Sequence, residues 1–67
     1  MSDILKIIEV LSESEESWED AASLAIRQIA KTIRNIKSIY IKEFEAQVKN
    51  SVIVSWQINA QVSFLVD

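Results

Sequence analysis

The chain has 67 residues, 49% of them hydrophobic, with a net charge of −3 and a pI near 4.8. It contains no cysteine, histidine, glycine or proline, which removes disulfides, thiolate and imidazole metal ligands, and the imidazole general base. The acidic balance excludes nucleic acid as the main partner, because neutralising phosphates takes a basic patch. No apolar run approaches the ~20 residues of a membrane-spanning helix.

The length fits one domain over residues 1–67. A core this small contributes only ~3–5 kcal/mol, and small chains usually add disulfides or metals. With thiols and imidazoles missing, assembly is the remaining way to bury so much apolar surface. No basic segment followed by an apolar core opens the chain, so a cytoplasmic location is expected.

In chain order, Ile4 to Leu11 is rich in β-branched residues and reads as a first strand. Ser12 to Ser17 is a polar, acidic connector. Ser14 and Ser17 are candidate helix N-caps, and Ser17 with Asp20 resembles a capping box. Acids Glu13, Glu15, Glu16, Glu19 and Asp20 gather at the expected helix start, and Lys31, Arg34 and Lys37 at its end. That distribution suits the helix macrodipole. Ala22, Ile26, Ile29, Ile33 and Ile36 form one apolar stripe, widened by Ala21 and Ala25. The helix is therefore expected over Ser17–Asn35.

Ile36 to Gln47 reads as a second strand, with Ile39, Ile41 and Glu43 on one face and Ser38, Tyr40, Lys42 and Phe44 on the other. A turn near Ala46–Asn50 follows, with Asn50 as the candidate left-handed position. From Ser51 to Val66 the chain alternates almost without error. Val52, Val54, Trp56, Ile58, Ala60, Val62, Phe64 and Val66 are apolar, and the odd positions are mostly small and polar. This is a strand with one face in a core. At ~3.3 Å per residue it spans roughly 50 Å, whereas a compact globule of this length has a radius of gyration of about 11 Å and a diameter near 30 Å. Such a strand must bend sharply or be covered in part by another copy of the chain. The order β-α-β-β predicts an α+β subunit: a three-stranded antiparallel sheet wrapping one helix.

Little in the sequence suggests catalysis. Glu43 and Glu45 share a strand face about 7 Å apart, but exposed strand faces often carry acids. No nucleophile sits beside a base, and there is no phosphate-binding glycine loop. The chain reads as a binding protein and not an enzyme. The acids of Glu13 to Asp20 suit a hard cation such as calcium, but they match no EF-hand spacing and stabilise a helix start without any ion. Trp18 and Trp56 are large anchors for a core or an interface. Gln57 lies mid-strand on the polar face, where its amide offers both a donor and an acceptor to the edge of a heterocycle.

The succession of SEESWEDA (Ser14–Ala21), IRNIK (Ile33–Lys37) and WQINAQVSF (Trp56–Phe64) resembles the dodecin family over nearly the whole chain, with no gap between Ser17 and Asp67. The resemblance implies a β-α-β-β subunit in a hollow homododecamer that binds flavins (riboflavin, FMN or FAD) in pairs between subunits. Members of the family store or sequester the flavin. A glutamine on the last strand bonds the flavin's polar edge; Gln57 matches it. A tryptophan on the second strand supplies the stacking platform; its position here is Ser38. Tyr40, two residues on, shares the face of Ser38 and is the candidate replacement ring. Many members also carry a basic residue near the following turn; this chain has Glu45 there. The resemblance thus implies a small-molecule site at Ser38, Tyr40 and Gln57 that is weak for flavin. The alternative is a calcium-type cation binder or a purely structural shell.

Overall fold

The computed structural model describes residues 3–66. Four elements follow one another: β1 (Leu5–Ser14), α1 (Trp18–Ile29), β2 (Ile36–Lys49) and β3 (Val52–Leu65). The strands form one antiparallel sheet in the order β1-β3-β2, with α1 on one face. The expected β-α-β-β subunit is present.

The sheet is longer than the helix that covers it. β1 pairs with β3 from Leu5↔Leu65 to Ser14↔Trp56, and β2 runs alongside β3 to Lys49↔Val52. Past Trp56, β2 and β3 continue alone as a two-stranded hairpin. The long strand therefore does not double back into a globule. The radius of gyration is 13.8 Å and the subunit measures 53 × 21 × 13 Å. At the hairpin tip Val48 (63%), Val52 (61%), Ile53 (48%) and Val54 (42%) stay exposed.

Three residues with positive φ take the place of glycines. Asn50 (φ 50°) and Ser51 (φ 65°) form the two-residue hairpin loop, as a turn matched to strand twist requires. Asn35 (φ 61°) turns the chain into β2. Asparagine tolerates this region better than most residues. The helix stops at Ile29, short of the expected Asn35. Beyond it, Lys31 and Thr32 donate to the carbonyls of Gln28 and Ile29 (3.2 and 3.1 Å). These are the tighter bonds with which helices commonly end. Ile36 opens β2, the start expected for the second strand, and so does not continue the helical stripe.

The helix meets the sheet through its smallest side chains. Ala21 and Ala25, one turn apart, are the buried helix residues; Ala22 and Ile26 lie to one side and Leu24 to the other, half-buried. Their sheet partners are Ile58, Ala60 and Val62, all at or below 1% exposure. Among the described residues these five are the buried apolar core. Ser12 Oγ adds a hydrogen bond to the Ala21 carbonyl (2.7 Å), so β1 runs three residues beyond its expected end at Leu11.

The helix start is built by two serines. Ser17 is the N-cap, and its Oγ accepts from the Asp20 backbone N–H (2.9 Å). Asp20 does not close the box on the cap itself. Its carboxylate accepts from Ser14 Oγ (2.7 Å), and Ser14 Oγ accepts in turn from the backbone N–H of Glu16 (2.9 Å) and of Ser17 (3.4 Å). No helix among the described residues is long and apolar enough to cross a membrane.

Candidate functional site

Residues opposite one another in a sheet share a face, so the register assigns the faces. Ile58, Ala60 and Val62 lie under the helix. Gln57, Asn59, Gln61 and Ser63 therefore line the opposite face, all half-buried. Their neighbours on β1 are Glu13, Leu11, Glu9 and Ile7, and on β2 Glu45, Glu43, Tyr40 and Ser38. This three-strand polar face carries all three candidate site residues.

β-Bulges decide which β2 residues belong there. A register shift between Ile41 and Glu43 leaves Lys42 as the extra residue and reverses the alternation. Glu43 consequently joins Ser38 and Tyr40 on the polar face, opposite Asn59, while Phe44 moves to the helix side, opposite Ile58. The sequence pattern had placed both the other way. A second shift between Gln47 and Val48 leaves Val54 as the extra residue of β3, so Ile53 and not Val54 lies opposite Val48.

One chain does not bring the three site residues together. Ser38 is opposite Ser63, six residues along β3 from Gln57, a separation of about 20 Å by strand rise. Tyr40 is opposite Gln61, about 13 Å from Gln57 by the same measure. The Ser38 and Ser63 hydroxyls are 2.6 Å apart. Tyr40 is 64% exposed. The side-chain amide of Gln57 makes no hydrogen bond among the described residues, although its neighbours do. Glu13 accepts from Ser55 Oγ (2.6 Å), Glu45 from Gln47 Nε2 (2.8 Å) and Glu43 from Asn59 Nδ2 (3.2 Å). Lys42 Nζ reaches Glu9 Oε2 at 3.2 Å.

Both tryptophans lie on the other side of the sheet. Trp18 stands edge-on to Phe44 (centroids 5.6 Å) and to Trp56 (6.5 Å), a favourable aromatic geometry. Its Nε1–H donates to the Glu45 carbonyl (3.0 Å). This cluster clamps the helix start to the sheet where β1 ends. Trp56 therefore belongs to the packing and, within its own subunit, cannot stack on a ligand held by Gln57.

The carboxylates considered for calcium are dispersed. Glu13 bonds Ser55 and Asp20 bonds Ser14. No group of three or more acids among the described residues converges to hold a metal ion.

A family model described as Dodecin matches residues 4–67. No curated protein matches the chain. Among solved structures, a mutant of the Thermus thermophilus dodecin superposes with a TM-score of 0.92 at 24% identity, covering 98% of each chain. The dodecin of Streptomyces davaonensis gives a TM-score of 0.92 at 21% identity, covering 100% of this chain and 98% of its own. The calcium-chelating calcium dodecin of Mycobacterium tuberculosis, described with a novel calcium-binding site, gives 0.82 at 25% identity, covering 96% and 91%. With this fold and a family match over nearly its full length, the chain belongs to the dodecin family and is a binding protein, not an enzyme.

Proposed function

We propose that the chain assembles into a hollow homododecamer in the cytoplasm and sequesters a planar heteroaromatic ligand of the flavin type on the polar sheet face. The observation that carries this reading is Gln57. Its half-buried amide has no partner among the described residues and stands in the middle of that face, at the position where the family bonds the flavin's polar edge. Donor and acceptor side by side on one amide complement a heterocycle edge. The platform at Ser38 lacks a π-face, so the stack is formed by Tyr40, an exposed residue on the same sheet face. Because Ser38, Tyr40 and Gln57 are well separated in one chain, a ligand touching all of them lies between subunits.

Two features support assembly. Few apolar side chains are buried within the subunit, and the hairpin tip exposes four aliphatic residues. Such a patch marks an interface. Riboflavin titration followed by flavin fluorescence, combined with a native mass spectrum, tests the proposal. A mass of twelve chains and quenching at micromolar riboflavin are expected. Absence of quenching at high micromolar riboflavin refutes the ligand; a monomeric or dimeric mass refutes the shell.

A further inference from the structure

The register places a carboxylate on each side of Gln57: Glu13 of β1 and Glu45 of β2 are its direct cross-strand neighbours. Side chains so placed have Cβ atoms about 4.5–5.5 Å from the central one. Neither acid pairs with a cation among the described residues. Glu13 accepts from the Ser55 hydroxyl and Glu45 from the Gln47 amide, both uncharged groups. The next position on the face adds Glu43, bonded to the neutral Asn59 amide. Lys42 is engaged by Glu9 in the one ion pair among the described residues. Lys49 lies farther along β2 on the same face, opposite Val52, so four acids and two cations leave the face net negative around Gln57.

We infer that the ligand held at Gln57 carries no phosphate. It is a neutral or cationic planar heterocycle, and Glu13 and Glu45 are the residues that set this preference. The inference rests on the ligand reading given above. A phosphate monoester carries about −1.5 to −2 charges at neutral pH, and a short polyol arm keeps it within about 10 Å of the ring edge that the amide bonds. At that range two carboxylates repel it strongly in dilute buffer and weakly once the Debye length falls below the separation. FMN is therefore expected to bind about tenfold more weakly than riboflavin at low ionic strength.

The test titrates the assembled protein with riboflavin and with FMN, in about 10 mM and about 500 mM salt, and repeats both titrations on the Glu13→Gln/Glu45→Gln double variant. Glutamine keeps an acceptor for Ser55 and for Gln47 while removing the charge. The expected result is a riboflavin preference that shrinks to about twofold or less in high salt and vanishes in the double variant. FMN binding as tightly as riboflavin at low salt overturns the inference and leaves the flavin reading standing. A preference that survives both high salt and the double variant overturns its assignment to the two carboxylates. If neither compound binds, the ligand reading itself fails and the inference falls with it. Should the double variant not assemble, the salt dependence of the native protein decides.

Discussion

Replacing Ser38 by tryptophan probes the ligand site most directly. Ser38 is exposed on the open face of β2, and its Oγ lies 2.6 Å from the Ser63 hydroxyl. Losing that bond costs about 1 kcal/mol or less, since water reaches it, and aromatic residues fit a strand position well. The fold therefore tolerates the change. The gain is the stack. A ring on an aromatic side chain is worth ~1–3 kcal/mol in nucleic-acid systems, which corresponds to roughly 5- to 150-fold in affinity. Riboflavin fluorescence titrations of the native protein and of Ser38→Trp, each checked for assembled mass, measure it directly. Ser38→Leu is the control, adding apolar area without a π-face, and is expected to gain much less. A Ser38→Trp affinity within about twofold of native, with the assembly intact, would mean that no ligand ring passes over this position; the site would then lie elsewhere.

Other expected outcomes follow from the same geometry. Tyr40→Ala should weaken riboflavin by about tenfold, the loss of one stacking contact, without altering the assembled mass; unchanged affinity would remove Tyr40 from the site. Ser14 is 5% exposed and holds three hydrogen bonds at the helix start, so Ser14→Ala should destabilise by about 2–3 kcal/mol at roughly 1 kcal/mol per bond. A urea midpoint close to native would contradict that. Ser51 sits at φ 65°, where a side chain costs about 1–2 kcal/mol that glycine escapes. Ser51→Gly should raise the melting temperature by several degrees, and a lower value would count against the turn geometry. Ile53, 48% exposed at the hairpin tip, gains about 1 kcal/mol if a neighbouring copy covers the remainder. Ile53→Asp should break the assembly into smaller species, and a native mass equal to the parent's would place the tip outside the subunit contacts.

The elements were legible in the sequence because each carries a local period. The alternation of Gln57 to Val62 marked the two faces of β3 correctly, and Ser17 with Asp20 marked the helix start. Reading failed where one extra residue reverses a period without changing composition. Lys42 in β2 sends Glu43 to the polar face and Phe44 to the helix side, and Val54 does the same to the tip of β3. The helix end was misplaced because Ile33 and Ile36 continue a helical spacing although Asn35 has already left helical geometry. For the candidate site, parity gave the polar side of Gln57 and the shared face of Ser38 and Tyr40, while their grouping came from the family resemblance. Glu13 beside Gln57 was not: strand register couples residues 44 apart, and no local pattern encodes it.

The five-residue core has a consequence for the life of the chain in a cell. Three of its members are alanines, and alanine burial contributes little transfer energy. If the chain assembles as proposed, a newly made copy has scant reason to stay folded by itself, folding and association become one equilibrium, and stability rises with the concentration of chains. Below a threshold of synthesis, solitary chains expose β-edges and are open to proteolysis. Above it they are withdrawn from that fate together. The amount of binding capacity would then respond steeply to expression, switching on over a narrow range, with no regulatory partner required.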